Sequence, residues 1–351
     1  MKKERNYSLD FLKIIATILI VCHYYQQILG VEFEAINFYG GKFYFGYLVE
    51  FFFLISGFLM FSYIEKIKEG LTFKDFFFRR IIRLMPLIIV AAISYEILLY
   101  IYPKVFGDYF YNLKPDFWGL IISMIGIQAG WFFENPMINN PMWYISVLLL
   151  CYIFFYISTK ISISKKYNYI YFYIVIVFLG LSIRKNGTDL AFLNYNTARG
   201  YYSFFFGVLF SIYFNNYNVN KLIKILSVFL LIFITYLILK HYYIVEKNID
   251  YTLTFIYYPA LIIIFNFDIV KKILSRKIIG KIGEISFNVY VWHGGFILLL
   301  SIINKYYAFD TNFVSYKTMV MSTIILYIFG AMSYYFIEKY IRNVILKLFS
   351  H

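Results

Sequence analysis

Residues 9–27 read LDFLKIIATILIVCHYYQQ and have the length and apolar character of a membrane-spanning helix. The same stretch carries Asp10 and Lys13 near its start and His23 near its end. An ionisable side chain within a span costs about 3 kcal/mol or more, so it usually faces a protein interior or an aqueous cavity and marks function. The stretch therefore indicates a helix that crosses a membrane and also contributes to a functional site.

Long apolar segments recur along the rest of the chain. Of its 351 residues, 62% are hydrophobic and 24% are aromatic, a composition that excludes an ordinary soluble protein. The intervening segments are too short to form a soluble domain. We therefore expect one all-α, membrane-embedded domain over residues 1–351, a polytopic bundle of about ten transmembrane helices. The predicted helices cover residues 8–27, 44–61, 84–102, 142–159, 169–184, 199–214, 222–240, 251–267, 285–303 and 318–336.

The basic residues predict the orientation of these helices. With the amino terminus in the cytoplasm, roughly two thirds of the 33 lysines and arginines fall in cytoplasmic segments, as the positive-inside rule requires. Both termini are then cytoplasmic. Residues 117–132 are apolar enough to be an eleventh span, but counting them as one would invert every later loop. We predict that they form an interfacial or re-entrant segment covered by protein.

The distribution of charge argues against nucleic-acid binding, and the positions of the cysteines argue against a disulfide or a metal site. The net charge of +14 does not indicate nucleic-acid binding, because the basic residues are dispersed between the spans. Cys22 and Cys151 both lie in apolar runs, which predicts packing residues and neither a disulfide framework nor a metal site. The partner that the composition does predict is the lipid bilayer.

The polar residues of the first two helices each allow a structural and a functional interpretation. Asp10 and Lys13 lie one turn apart and could form only an ion pair with a snorkelling lysine. His23 lies about 15 Å further along the helix axis, where a histidine could be merely interfacial. In VEFFFLISGFLM, Glu50 begins the second helix, whereas Ser56 precedes a glycine and is typical of close helix packing.

Three later segments carry comparable signals. In FKDFFFRRIIRLMP, the cluster of Arg79, Arg80 and Arg83 is by default topogenic, but guanidinium groups also pair bidentately with phosphate and would suit a polyanionic cofactor. Trp143 opens the fourth helix in PMWYISVLLLCY and could belong to an ordinary aromatic belt. His293 lies two turns into the ninth helix in ISFNVYVWHGGF, beside two glycines that admit a neighbour or a ligand.

Taken together, these segments resemble membrane-bound acyltransferase family 3, whose members acylate sugars and cell-envelope polymers. The resemblance rests on the order of the LDFLK start with its later histidine, FFFLISGF, RRIIRLMP, the Trp-led fourth helix, ISFNVYVWH and the terminal FIEK. It implies an acyl-CoA donor, usually acetyl-CoA, that enters from the cytoplasm. It also implies an acceptor hydroxyl on a cell-envelope polysaccharide or lipid-linked glycan, and a multi-pass protein of the bacterial cytoplasmic membrane.

The chain departs from the family pattern at two places. Lys13 stands where the family usually has arginine, and nine residues separate it from His23 where the family has ten, so Tyr24 occupies the usual histidine position. Eleven steps return a helical side chain to about 20° from its starting face, whereas ten steps leave it about 80° away. By this geometry, one face of the helix carries Lys13, Thr17, Ile20, Tyr24 and Gln27. The second departure is Leu148, where some members carry glutamate.

Acyl transfer explains why such residues would be needed. A base must take the hydroxyl proton, and a donor must stabilise the oxyanion that forms on the thioester carbonyl. We expect His23 to be the base, because imidazole titrates near neutrality and a phenol near pH 10. Tyr24 would line the site, Asp10 and Lys13 would support catalysis, and His293 is the alternative base. We expect the substrate to be bound by Glu50, Ser56, Trp143 and Gln27, and the CoA phosphates by Arg79, Arg80 and Arg83. A transporter or flippase for a glycan or a lipid-linked precursor is the rival hypothesis, because intramembrane charges also serve a polar path.

Overall fold

The computed structural model describes residues 5–132, 139–217 and 219–348. Nearly all of these residues are helical, and no β-sheet forms among them, which confirms the predicted fold class. The α-helices, numbered in chain order, are α1 Tyr7–Leu29, α2 Leu48–Phe58, α3 Phe61–Lys68, α4 Phe73–Phe106, α5 Phe117–Ile125, α6 Trp143–Ser164, α7 Tyr169–Asn186, α8 Tyr195–Asn216, α9 Lys221–Lys240, α10 Tyr242–Val245, α11 Ile249–Thr252, α12 Tyr258–Phe265, α13 Asp268–Leu274, α14 Lys277–Tyr306, α15 Tyr316–Ser333 and α16 Lys339–Leu348.

Within the described parts of the chain, nine helical stretches are long and apolar enough to cross a membrane. The predicted helix 199–214 is not among them, although it forms as α8. Its amino-terminal half carries Arg199 and several tyrosines, and α8 packs against α2, α6 and α7. Tertiary contacts, more than apolar content, therefore hold α8 in the bundle.

Burial separates the helices at the centre of the bundle from those at its edge. In their most apolar stretches, α6 is 72% buried and α1 and α14 are each 67% buried, whereas α9 is only 11% buried. The helix α1 packs along α14, and α2 packs along α8. The polar residues singled out in α1, α2, α6 and α14 thus lie in the interior, while α9 presents its apolar side chains to lipid.

Several helix boundaries differ from those predicted. The second predicted helix, 44–61, begins with a short 3-10 turn, Phe45–Tyr47, and its regular part ends at Phe58 before the chain turns into α3. The third, predicted to begin at residue 84, begins at Phe73, where the Thr72 hydroxyl accepts a hydrogen bond from the Asp75 amide at 3.1 Å. The predicted helix 251–267 contains the π-helical turn Leu253–Tyr257, and the predicted helix 318–336 ends in another, Tyr334–Glu338.

Residues 117–132 do not form a spanning helix. The helix α5 is about 14 Å long, half of a hydrocarbon core of about 30 Å, and it ends at Gly126, which has a φ of 72°. The following backbone bonds to its neighbours: the Ala129 amide donates to the Ser146 hydroxyl at 3.0 Å, and the Phe192 amide donates to the Gly130 carbonyl at 2.9 Å. The prediction that residues 117–132 do not span as a helix is confirmed, and their interfacial or re-entrant position stays a prediction.

Glycines set the closest helix contact in the bundle. A Cβ atom on Gly57 would lie 1.9 Å from the Phe204 carbonyl oxygen, and one on Gly207 would lie 2.1 Å from the Leu54 carbonyl oxygen. The backbones of α2 and α8 therefore touch without an intervening layer of side chains. The packing interpretation of the Ser56–Gly57 pair is correct for Gly57.

Candidate active site

His23 is held by the loop that follows α1. Its side chain is buried, and its Nδ1 atom lies 2.9 Å from the Phe38 carbonyl oxygen. A carbonyl oxygen can only accept a hydrogen bond, so Nδ1 carries the proton and Nε2 presents a lone pair. The ring also makes edge contacts with Tyr39 and Tyr44, with centroids 5.1 and 4.9 Å away. The histidine is thus oriented as a neutral base.

His293 has the same tautomer but a more enclosed position. Its side chain is fully buried, and Nδ1 donates to the Tyr290 carbonyl one turn earlier in α14. Its Nε2 atom is buried and has no hydrogen-bond partner among the described residues. An unpaired buried acceptor costs free energy and needs an explanation, of which a catalytic role is one.

Tyr24 connects the two histidines. Its ring centroid lies 5.1 Å from that of His23 and 4.6 Å from that of His293. From His293 the row of rings continues to Tyr290 at 5.4 Å and from there to Tyr144 at 5.6 Å. A continuous aromatic row therefore runs from the loop beside His23 into the centre of the bundle.

The helix α1 remains a regular α-helix throughout, so local over- or under-winding does not absorb the one-residue shift between Lys13 and His23. Tyr24 points toward α14 and His293, on the face where Lys13 and Thr17 line a cavity. His23 points instead toward the loop residues Phe38, Tyr39 and Tyr44. The site therefore lies between two faces of the helix, with Tyr24 at the boundary.

Gln26, which the sequence analysis did not single out, organises the loop, whereas the structure assigns no such contact to Gln27. The Gln26 side-chain oxygen accepts hydrogen bonds from the backbone amides of Phe38 and Tyr39 at 2.6 and 3.0 Å. The Gln27 side-chain oxygen is buried without a partner among the described residues. Gln26 thus fixes the carbonyl that in turn orients His23.

A buried ion pair stands beside the histidines. The Arg199 Nε and Nη2 atoms lie 2.5 and 2.8 Å from the two carboxylate oxygens of Glu50, whose side chain is only 1% exposed. Nη2 also donates to the Gly46 carbonyl at 2.9 Å, and the guanidinium lies 4.7 Å from the ring of Trp143. The Glu50 carboxylate is therefore engaged by Arg199, and its predicted role in substrate binding stays a prediction.

Sequence reasoning missed Arg199, although a signal was available. An arginine at the start of a predicted span, 199–214, is the kind of intramembrane charge that marks function. The pairing itself joins residues far apart in sequence, so only the structure could reveal it.

A second part of the site is a cavity of about 510 Å³ at the end of the bundle where α1 begins, here called the inner cavity. Among the described residues, its charged lining consists of Arg5, Asp10, Lys13, Arg79, Arg80, Arg83 and Glu284. Its deepest walls include Ser56, Tyr144, Leu148 and Tyr290, so the inner cavity meets the row of aromatic rings. Cations exceed acids, which favours an anionic ligand.

The acids of the inner cavity are already paired. Asp10 lies 3.7 Å from the Lys13 amine and 2.6 Å from Arg5 Nε, which confirms the predicted ion pair and adds a second cation. Arg5 also contacts Glu284 and donates to the Gly280 carbonyl at 2.5 Å. Burial alone would lower the pKa of Arg5, but the hydrogen bonds with Asp10 and Glu284 outweigh it and raise the pKa. Arg5 thus straps α1 to α14.

The three arginines before Pro86 are not equivalent. Arg80 is buried, lies 3.9 Å from the Tyr63 ring centroid and 4.0 Å from that of Phe76, and donates to the Phe76 carbonyl at 3.1 Å. Arg79 and Arg83 are exposed at the rim of the inner cavity. Arg80 therefore packs the base of α4, while Arg79 and Arg83 are available to an incoming anion.

Ser56 and Trp143 lie at the junction between the two parts of the site. The Ser56 hydroxyl lies 3.1 Å from the Tyr144 hydroxyl and faces the inner cavity. Trp143 packs against Arg199 and, through Phe53, against α2. Both residues, which the sequence analysis assigned to substrate binding, are thus close to the aromatic row.

These features define a polytopic helical membrane protein with a buried histidine pair above a cation-rich cavity. The acyltransferase-domain model of acyltransferase family 3 matches residues 6–337, and the chain belongs to that family. No curated protein and no solved structure matches the chain.

Proposed function

We propose that this protein transfers an acyl group, with acetyl as the simplest case, from acyl-CoA to a hydroxyl of a cell-envelope polysaccharide or lipid-linked glycan. The observation that carries the proposal is the aromatic row that joins a cation-rich cavity to two histidines, each with its Nε2 lone pair available. Family membership supports acyl transfer, and the cation-rich lining of the inner cavity supports an anionic donor such as acyl-CoA.

The inner cavity is suited to the acyl-CoA donor. Exposed Arg79 and Arg83 can pair with the phosphates of CoA, since guanidinium groups form bidentate charge-assisted hydrogen bonds with phosphate. The thioester arm would then extend inward past Ser56 toward Tyr290, whose ring contacts His293. In the predicted orientation of a bacterial cytoplasmic membrane protein, this cavity opens to the cytoplasm, where acyl-CoA is made.

The reaction then requires two proton transfers and one acyl transfer. His23 Nε2 takes the proton of the acceptor hydroxyl, and the oxygen attacks the thioester carbonyl. The C–S bond breaks, the CoA thiolate leaves, and the proton returns to its sulfur. Tyr24, which touches both histidines, donates a hydrogen bond to the oxyanion. Arg199 and Glu50 position the loop at Gly46 and the indole of Trp143.

The test uses purified protein, labelled acetyl-CoA and a crude envelope glycan fraction. His23→Ala should abolish transfer of the label, whereas Tyr24→Phe should only reduce it. The opposite ranking would place the base at His293 and build the site around Tyr24. If the wild-type protein binds glycan but transfers no label, the acyltransferase proposal fails and transport becomes the better hypothesis.

A further inference from the structure

A second cavity opens along the side of the bundle and is here called the lateral groove. Its volume is about 430 Å³, and it lies between α1, the outer end of α9 and the run of residues 249–265. The α1 wall is a purely apolar stripe at helical spacing, made of Phe11, Leu12, Ile15, Ala16 and Leu19. None of the residues assigned above to donor binding or proton transfer lines this groove.

The length of the lateral groove favours a long, extended ligand. Ile249 and Phe265 both line it, and the helical run between them extends about 24 Å at 1.5 Å per residue. This is most of a hydrocarbon core of about 30 Å. An occupant that fills the groove is therefore a long apolar chain that lies parallel to the helices.

The outer end of the lateral groove carries a positive charge. Lys42 lines that end, is exposed, and has its amine 3.5 Å from the Leu239 carbonyl oxygen. No ion pair found among residues 5–132, 139–217 and 219–348 involves Lys42. A lysine at the membrane surface attracts the phosphate of a lipid whose chain lies below it.

The same end of the groove reaches the candidate active site. Tyr44 lines the groove, and its ring centroid lies 4.9 Å from that of His23 in an edge contact. A group attached beyond the phosphate of a bound lipid would thus lie close to the face of His23 that meets the loop. A crevice that binds ordinary phospholipids would not need to adjoin His23, the proposed base.

We propose that the lateral groove binds the lipid chain of a phosphate-linked glycan, so that the acceptor is presented as a lipid-linked intermediate and not as a free polysaccharide. The choice of acceptor rests on the function proposed above, whereas lipid binding by the groove does not. A reaction that assembles the glycan on a lipid phosphate must therefore come before acylation.

Binding is tested with the full chain in phosphatidylcholine nanodiscs and polyprenyl phosphate as the probe. Ile15 is 40% exposed and lines the groove, so Ile15→Trp should fill the groove without disturbing the core. Ile232 is 65% exposed on α9 outside the groove, and Ile232→Trp is the matched control. We expect Ile15→Trp and Lys42→Gln each to weaken binding about tenfold and Ile232→Trp to leave it unchanged.

Two results would overturn the binding proposal. Equal binding by Ile15→Trp and Ile232→Trp would show that the groove is not the site. Equal competition by phosphatidic acid, which carries the same phosphate on an ordinary diacyl lipid, would show an unselective lipid crevice.

A second measurement separates this inference from the proposed function. Labelled acetyl-CoA is offered with the lipid-linked glycan or with the same glycan released from its lipid by mild acid. We expect transfer to the lipid-linked form to be faster by about tenfold or more. Equal rates would refute the lipid-linked acceptor and leave acyl transfer intact, whereas transfer to neither form would refute the proposed acyl transfer and leave the binding result standing.

Discussion

Loss of one partner of the ion pair between Glu50 and Arg199 should be among the most destabilising single changes in the bundle. Arg199→Met removes the two hydrogen bonds to the carboxylate, at 2.5 and 2.8 Å, and the one to Gly46 at 2.9 Å. Glu50, which is 1% exposed in the structure, then has a carboxylate with no cation beside it. Removal of one partner of such a buried pair costs about 3–5 kcal/mol. Tyr202, which donates to the same carboxylate at 3.3 Å, recovers only part of this loss.

A double-mutant cycle isolates the pair from the packing of each side chain. Glu50→Gln in the Arg199→Met background removes the stranded charge, so the double variant should be more stable than Arg199→Met alone, with a coupling free energy of about 2 kcal/mol or more. Unfolding in detergent micelles, followed by circular dichroism, measures all four proteins. The pair of Lys68 and Glu65, with side chains 40% and 63% exposed, provides a control cycle with an expected coupling below about 1 kcal/mol.

The reasoning fails if the coupling between Glu50 and Arg199 is as small as that of the exposed control pair. That result would mean that water or an alternative partner compensates the carboxylate. A second readout is the rate of acetyl transfer per amount of folded protein. This rate should fall in Arg199→Met, because the Gly46 loop and Trp143 lose their common support.

Three further outcomes are expected from the same structure. Arg79→Gln should weaken acyl-CoA binding with normal abundance in the membrane, whereas Arg80→Gln should lower abundance because its guanidinium packs between rings; equal effects on both would contradict this division. A reporter fused after Lys166 should behave as cytoplasmic, and an external signal would invert the second half of the predicted topology. Gly57→Ala should reduce the yield of folded protein, as measured by size-exclusion chromatography, because its Cβ would lie 1.9 Å from a backbone oxygen; a normal yield would refute the close contact.

The sequence predicted the fold class and most of the helices because long apolar segments leave the chain few alternatives in a membrane. Residues 117–132 form a short helix and not a span, as predicted, whereas the orientation inferred from the loop charges stays a prediction. The boundaries near Phe73 and Phe58 were wrong, because capping by Thr72 and the break before α3 depend on local hydrogen bonds that an apolar window does not detect.

The candidate site was only partly predictable, for a related reason. The histidines and the arginine cluster could be found because charged or titratable residues within apolar runs are conspicuous. The difference between Arg79 and Arg80 could not, since it depends on which side chain meets Tyr63. The roles of Gln26 and Arg199 also escaped prediction, because each depends on partners that come together only when the chain has folded. Which histidine acts as the base stays a prediction.

The direct backbone contact between α2 and α8 also determines which wall of the site can move. Two helices that touch at Gly57 and Gly207 have no layer of side chains that could shear, and the Arg199 ion pair fastens them a second time. They form a stiff wall. The opposite wall of the inner cavity is tied by Arg5, whose side chain is 37% exposed and whose contacts water can replace at little cost. A bulky ligand that displaces Arg5 therefore changes only the mouth of the inner cavity, because α1 and α14 remain packed along each other.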